Sequence, residues 1–236
     1  MGQKKLVRFA ELLTMTNVLQ YPEAMAGKWN NFFKNDNPVV LELACGKGEY
    51  ALGLAKLYPQ NNYIGIDVKG NRLWVGAKKA IKESLHNVAF LRIQIDAIAT
   101  HFAKDEIEEI WITFPDPQLR LSKSKKRLTH PKFLRFYQQF LVPGGKINLK
   151  TDSPDLYQFT KKVIEMYGCT LHEDMDHVYA EENIRPELSI KTHYEGLDIA
   201  GSNRIHYLSF SLPSQIPGKE MDTILHQQLK DGAAVH

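Results

Sequence analysis

The strongest constraint on what this chain can fold into is a repeated switch of hydrophobic period. Apolar runs of strand length, Val39 to Leu43, Tyr63 to Ile66, Val88 to Ile93, Ile110 to Thr113 and Lys146 to Leu149, alternate with amphipathic segments of helix length. Strand, helix and strand in succession pack as a right-handed βαβ crossover, which gives a parallel sheet with helices on both faces. Ligands of such sheets bind beyond the carboxyl ends of the strands, so the chemistry is expected just after each apolar run. Two further runs, Thr170 to Val178 and Arg204 to Leu212, flank a long polar stretch and read as an antiparallel closing hairpin. Thr129 before Pro131 and Ser153 before Pro154 offer helix N-caps, and Pro143-Gly144-Gly145 breaks the chain ahead of the fifth run.

A chain of 236 residues accommodates one large α/β domain, expected over 38–213, after a partly helical extension at 1–37 and before a tail at 214–236 with a short helix at most. No apolar stretch approaches the roughly 18 to 20 residues that cross a bilayer, and the first residues lack the apolar core of a signal peptide. A cytoplasmic protein without membrane contact is expected. Cys45 and Cys169 belong to no Cys-x-x-Cys pair, so neither a disulfide framework nor a zinc cluster is indicated. A net charge of +3 is mild, and what it implies depends on where the positive charge gathers.

The segment Leu41 to Ala51 ends the first run, turns through Gly46 and Gly48, and opens a helix. Glycine permits the tight turn and the close approach of a nucleotide. Asp67 ends the second run about 20 residues on, where a carboxylate accepts from ribose hydroxyls. Gly46-x-Gly48-x-x-Ala51 also satisfies the NAD fingerprint, so a dehydrogenase is the competing reading. Glu42 opposes it, because a carboxylate there repels a pyrophosphate and favours the cationic, phosphate-free S-adenosylmethionine. Asp96, just past the third run, is a third acid at a strand end, and Phe114-Pro115-Asp116-Pro117-Gln118 closes the fourth. The two prolines restrict the backbone around Asp116, which suits a catalytic carboxylate.

Arg120, Lys123, Lys125, Lys126 and Arg127 follow, then Lys132 and Arg135, with no acid among them. Such a patch beside a reaction centre is expected to hold a phosphate backbone, and Lys4, Lys5 and Arg8 extend it. His172, Asp174, Asp176 and His177 imitate a metal set. Along a strand, however, His177 points away from the other three, which favours a half-exposed strand over a metal site.

Leu41-Glu42 with Cys45-Gly46-Lys47-Gly48, then Gly65-Ile66-Asp67, Asp96-Ala97, Phe114-Pro115-Asp116-Pro117, Lys150-Thr151-Asp152 and Thr192-His193-Tyr194-Glu195 closely resemble the bacterial tRNA (guanine-N7)-methyltransferases. The resemblance runs nearly end to end, the tail excepted. It implies a Rossmann-like class I methyltransferase fold, with a seven-stranded, mostly parallel sheet and an antiparallel last strand. It also implies transfer of the S-adenosylmethionine methyl group to N7 of a guanine in tRNA, in the variable loop. Cofactor contacts would come from Glu42, Gly46, Gly48, Asp67, Asp96 and Asp116, with Asp116 also catalytic. Substrate contacts would come from Arg120, Asp152, Thr192, His193, Tyr194 and Glu195, and the RNA backbone would meet Lys123, Lys125, Lys126 and Arg127. No metal is implied, and a monomer or a homodimer fits equally. Where family members usually carry Trp and Lys after the aspartate, this chain has Gln118 and Arg120. A proline-framed aspartate also suits an exocyclic amine acceptor, which differs from N7 in having to lose a proton.

Overall fold

The computed structural model describes residues 2–23, 25–197 and 199–233, with the side chains of 2–5 and 232–233 outside the description, so Lys4 and Lys5 lie beyond it. In chain order the elements are α1 (Gly2–Leu12), β1 (Val18–Gln20), α2 (Trp29–Phe33), β2 (Val39–Leu43), α3 (Glu49–Leu57), β3 (Asn62–Ile66), α4 (Gly70–Lys82), β4 (Val88–Arg92), β5 (Ile107–Thr113), α5 (Pro131–Tyr137), β6 (Leu141–Thr151), α6 (Pro154–Met166), β7 (Thr170–Met175), β8 (His206–Ser211) and α7 (Lys219–Ala233). The strands form one sheet in the order β1-β4-β3-β2-β5-β6-β8-β7. Every pairing is parallel except those of β8, which runs against both β6 and β7. The reversed last strand is as expected, and the order turns outward from β2, at the carboxyl ends where a crevice forms.

β2 and β3 are buried along their whole length because helices cover both faces, which is why they read as continuous apolar runs. Alternate residues still divide between two cores. Leu41, Leu43, Ile64, Ile110 and Ile112 join Phe133, Tyr137 and Phe159 on one face, and Val40, Tyr63, Phe90 and Trp111 join Tyr50, Leu73 and Tyr207 on the other. No helix among the described residues is long and apolar enough to cross a membrane.

Four local expectations need revision. The sheet has an eighth strand, because β1 adds to the β4 edge with Val18 opposite Phe90 and Gln20 opposite Arg92. Pro143-Gly144-Gly145 interrupts β6 instead of preceding it: Leu141 pairs with Ile107, and the ladder shifts before Lys146 meets Glu109. His130, not Thr129, caps α5, its Nδ1 accepting from the Lys132 amide at 3.0 Å, whereas Ser153 caps α6 as expected. The tail is a docked element, with Leu225 buried in the core and Asp222 bonded to Tyr167 and Arg135.

Candidate active site

The glycine turn is built over a carboxylate supplied by the sheet. Glu42, only 3% exposed, accepts from the Ala51 amide at 2.8 Å and from the Thr113 hydroxyl at 3.2 Å. Gly48 is the N-cap of α3 and has no side chain, so Glu42 satisfies from below an amide that the helix leaves orphaned. Burial pushes its carboxyl up to about 8 against the pull of these two hydrogen bonds. Glu42 is thus a helix cap beneath the turn. Gly48 has φ +67°, and a Cβ there would stand 2.4 Å from the Phe90 ring, so no other residue fits without a shift. Cys45, in the same turn, is buried and its thiol is pushed well up, which keeps it protonated.

Asp67 ties the turn from the side, with Oδ2 accepting from the Gly46 amide at 3.0 Å and Oδ1 from the Lys69 amide at 2.8 Å. Asp96 stands in the 3-10 turn Ile95–Thr100, exposed and ion-paired with Lys132 of α5, outside the pocket that Asp67 lines.

Phe114 and Gln118 both hold φ +47°, and Ala44 at the end of the neighbouring β2 holds +53°. Three left-handed non-glycine residues at adjacent strand ends store strain where the surrounding structure fixes it. Asp116 is exposed between them, its Oδ1 accepting from the Gln118 amide at 3.0 Å. Arg127 clamps this loop: Nε donates to the Pro117 carbonyl at 3.1 Å, Nη2 to that of Gln118 at 3.2 Å, and the guanidinium lies 4.5 Å from the Phe159 ring centre. At 6% exposure Arg127 is turned into the loop, with its Nε and Nη2 donating to two carbonyls. Lys123, Lys125 and Lys126 remain exposed on the 3-10 turn Leu121–Lys126. Arg120 begins that turn, exposed but outside the pocket wall, which its neighbour Leu119 lines.

Asp152 lines the pocket, with Oδ2 accepting from the Ala200 amide at 3.3 Å. Of the four residues Thr192 to Glu195, only Tyr194 lines it: a Cβ on Gly46 would be 3.8 Å from its ring, and Arg72 lies 5.3 Å from the ring centre. His193 is exposed beside Tyr194. Thr192 and Glu195 make internal contacts. The buried Thr192 hydroxyl accepts from the Glu195 amide at 3.2 Å, and the Glu195 carboxylate turns inward to the Tyr179 hydroxyl and the Lys150 ammonium. Lys150 is completely buried and also donates to the carbonyls of Leu188 at 2.8 Å and Ile190 at 3.1 Å. Burial lowers its pKa and Glu195 opposes the shift. Lys150 and Tyr179 carried no sequence signal for this role beyond the position of Lys150 beside Asp152.

These elements enclose a pocket of about 640 Å³ at the carboxyl ends of β2, β3, β5 and β6. Asp67, Asp116, Asp152 and Asp155 line it, with Lys69 and Arg72 on one side and Phe114 and Tyr194 as aromatic surfaces. The volume is that of a cofactor-sized site. The residues fit S-adenosylmethionine better than a dinucleotide, because Glu42 already fills one of the α3 amides that would hold a pyrophosphate. The metal-like residues all have other partners: His172 meets Ser211, Asp174 Lys161, Asp176 Arg204, and His177 the Ile205 amide. Among the described residues no group of three or more ligand side chains could hold a metal.

Residues 36–206 match the sequence model of a family described as "Putative methyltransferase". The chain is 46% identical to a tRNA (guanine-N(7)-)-methyltransferase of Porphyromonas gingivalis over 84% of its own length and 86% of that protein. It is 42% identical to one of Bacteroides fragilis, over 94% and 91%. Among solved structures it resembles the 16S rRNA methyltransferase KamB, with TM-score 0.61 and 15% identity over 81% of this chain and 96% of that one. A SAM-dependent methyltransferase of Aquifex aeolicus gives TM-score 0.53 and 15% identity over 79% and 88%.

Proposed function

The chain belongs to the tRNA (guanine-N(7)-)-methyltransferases, and from that membership we propose how its pocket carries out methyl transfer from S-adenosylmethionine to guanine N7. The observation that carries the reading is the combination at the glycine turn, where Glu42 consumes an α3 amide and Asp67 stands beside the turn. Such a site rejects a phosphate and accepts a cationic nucleoside. S-adenosylmethionine, when bound, supplies a methyl group on a cationic sulfur for in-line transfer to the N7 lone pair, the bonding electrons leaving on sulfur.

N7 carries an in-plane lone pair and no proton, so the protein needs no general base, and its task is positioning. Asp67 has one lone pair on each oxygen taken by a backbone amide, which fixes the carboxylate and leaves the others for ribose hydroxyls. Asp116 has Oδ1 held by the Gln118 amide, which leaves Oδ2 to accept from guanine N1 or N2 hydrogens and to offset positive charge developing on the base. Tyr194 and Phe114 offer the stacking surfaces that the absent Trp would otherwise provide. Lys123, Lys125 and Lys126 hold the tRNA backbone beside the pocket mouth.

The test is incubation of purified protein with S-adenosylmethionine and unmodified tRNA, followed by nucleoside mass spectrometry. 7-Methylguanosine is the expected product. A methylated exocyclic amine would refute the acceptor, and retention of NADH in place of S-adenosylmethionine would refute the cofactor.

A further inference from the structure

The basic turn has a second side. Behind it lies a cleft of about 910 Å³, separate from the catalytic pocket, whose walls are the turn Leu121–Lys126, α5 and the docked helix α7. Lys125, Lys132, Arg135, Lys219, Thr223 and His226 line it. Two of these cations are neutralised within the protein, Lys132 by Asp96 and Arg135 by Asp222. Among the described residues no carboxylate pairs with Lys125 or Lys219, which both line the cleft from different elements, nor with the neighbouring Lys123 and Lys126. Unpaired lysines with hydroxyl and imidazole groups between them suit phosphate and ribose oxygens. Little aromatic surface is available for bases, since among the described residues of the lining Phe136 is the only aromatic carbocycle and it is half-buried.

The two depressions share one loop. Leu119 lines the pocket and Leu121 lines the cleft, so the two depressions meet at residues 119–121. Arg127 holds Pro117 and Gln118 from inside the same loop.

We propose that this cleft is a second contact for tRNA, in which Lys125 and Lys219 grip the sugar-phosphate backbone next to the nucleotide delivered to the pocket. The proposal rests on the reading of the chain as a tRNA methyltransferase and adds the C-terminal helix to its RNA-binding surface. Lys219 begins that helix and is exposed, so charge reversal there leaves the core untouched, and Thr223 one turn on is also exposed.

The experiment measures tRNA binding by wild-type protein, Lys219→Glu and Thr223→Lys across a salt series, with S-adenosylmethionine titration as the check on folding. Lys219→Glu is expected to weaken binding about fivefold and to flatten the salt slope by about one phosphate contact, and Thr223→Lys to change both in the opposite direction. Wild-type affinity and slope in both variants would overturn the cleft while leaving the methyltransferase reading intact. A wild-type protein that binds no tRNA at any salt concentration would overturn both.

Discussion

Replacing Glu42 by Gln tests the helix-cap role through its dependence on pH. The folded carboxyl titrates near 8, against 4.5 for an ordinary glutamate. Below 4.5 both folded and unfolded chains hold the proton and the group has no effect on stability. Between 4.5 and 8 the unfolded chain has released the proton while the folded one keeps it, so wild-type stability falls as pH rises. At 1.36 kcal/mol per pH unit, and with the folded group half-ionised at 8, the loss from pH 6 to pH 8 is about 2 kcal/mol. The carboxamide of the Glu42→Gln variant would keep both contacts, its oxygen accepting from the Ala51 amide and its NH₂ donating to the Thr113 hydroxyl, without a titratable group. Urea denaturation of both proteins without cofactor at pH 6 and pH 8 isolates the effect, since every other titrating group cancels in the difference. The stability of Glu42→Gln relative to wild type is expected to rise by about 2 kcal/mol between the two pH values, or roughly 4 to 8 °C in Tm. A relative stability that does not change with pH would refute the assignment of a buried, proton-holding Glu42.

Lys150→Met strands the Glu195 carboxylate and two carbonyls in the interior and should cost about 3 to 5 kcal/mol, read by thermal or urea unfolding. Adding Glu195→Gln should recover a large part of that loss, and a loss under about 1 kcal/mol in the single variant would show that the pair is not buried as described. Arg127→Met keeps the stacking volume over Phe159 but releases Pro117 and Gln118, so steady-state methylation kinetics should show a lowered kcat; an unaltered kcat would make the clamp irrelevant to catalysis. Asp116→Asn preserves the acceptor for the Gln118 amide and removes the charge, with an expected fall of about 10² to 10³ in kcat and little change in cofactor affinity by calorimetry. Full turnover in that variant would reduce Asp116 to a turn residue. Charge reversal at Lys125 and Lys126 together should lower the salt slope of tRNA binding by roughly 1.5, and an unchanged slope would remove them from the interface.

The parallel sheet was legible because buried strands and amphipathic helices differ in period, and Val39–Leu43 is β2 to the residue. β1 was not legible, since three half-buried residues present no period at all. The docked tail did carry a signal in Met221, Leu225 and Leu229, four residues apart along one helix face. At the site, Asp67 and the proline-framed turn around Asp116 stand at strand ends on the pocket wall, where local chain geometry puts them, whereas Glu42 is taken up by a helix amide and Asp96 by Lys132. Which member of a charge run turns inward is decided by distant partners. Arg127 reaches Phe159, and Glu195 finds Lys150 45 residues earlier in the chain, neither of which a local pattern encodes.

Among its described residues the segment 176–205 contains only short 3-10 turns, and three of its acceptors, near Leu188, Ile190 and Glu195, meet at the Lys150 ammonium. A segment held in this way does not fray residue by residue from its ends. It is expected to open to hydrogen exchange as a unit near Leu188, Ile190 and Glu195, because opening there withdraws an acceptor from a fully buried ammonium. That stretch is therefore expected to open in step with β6, the strand that carries Lys150, and to take with it Tyr194 from beside the glycine turn.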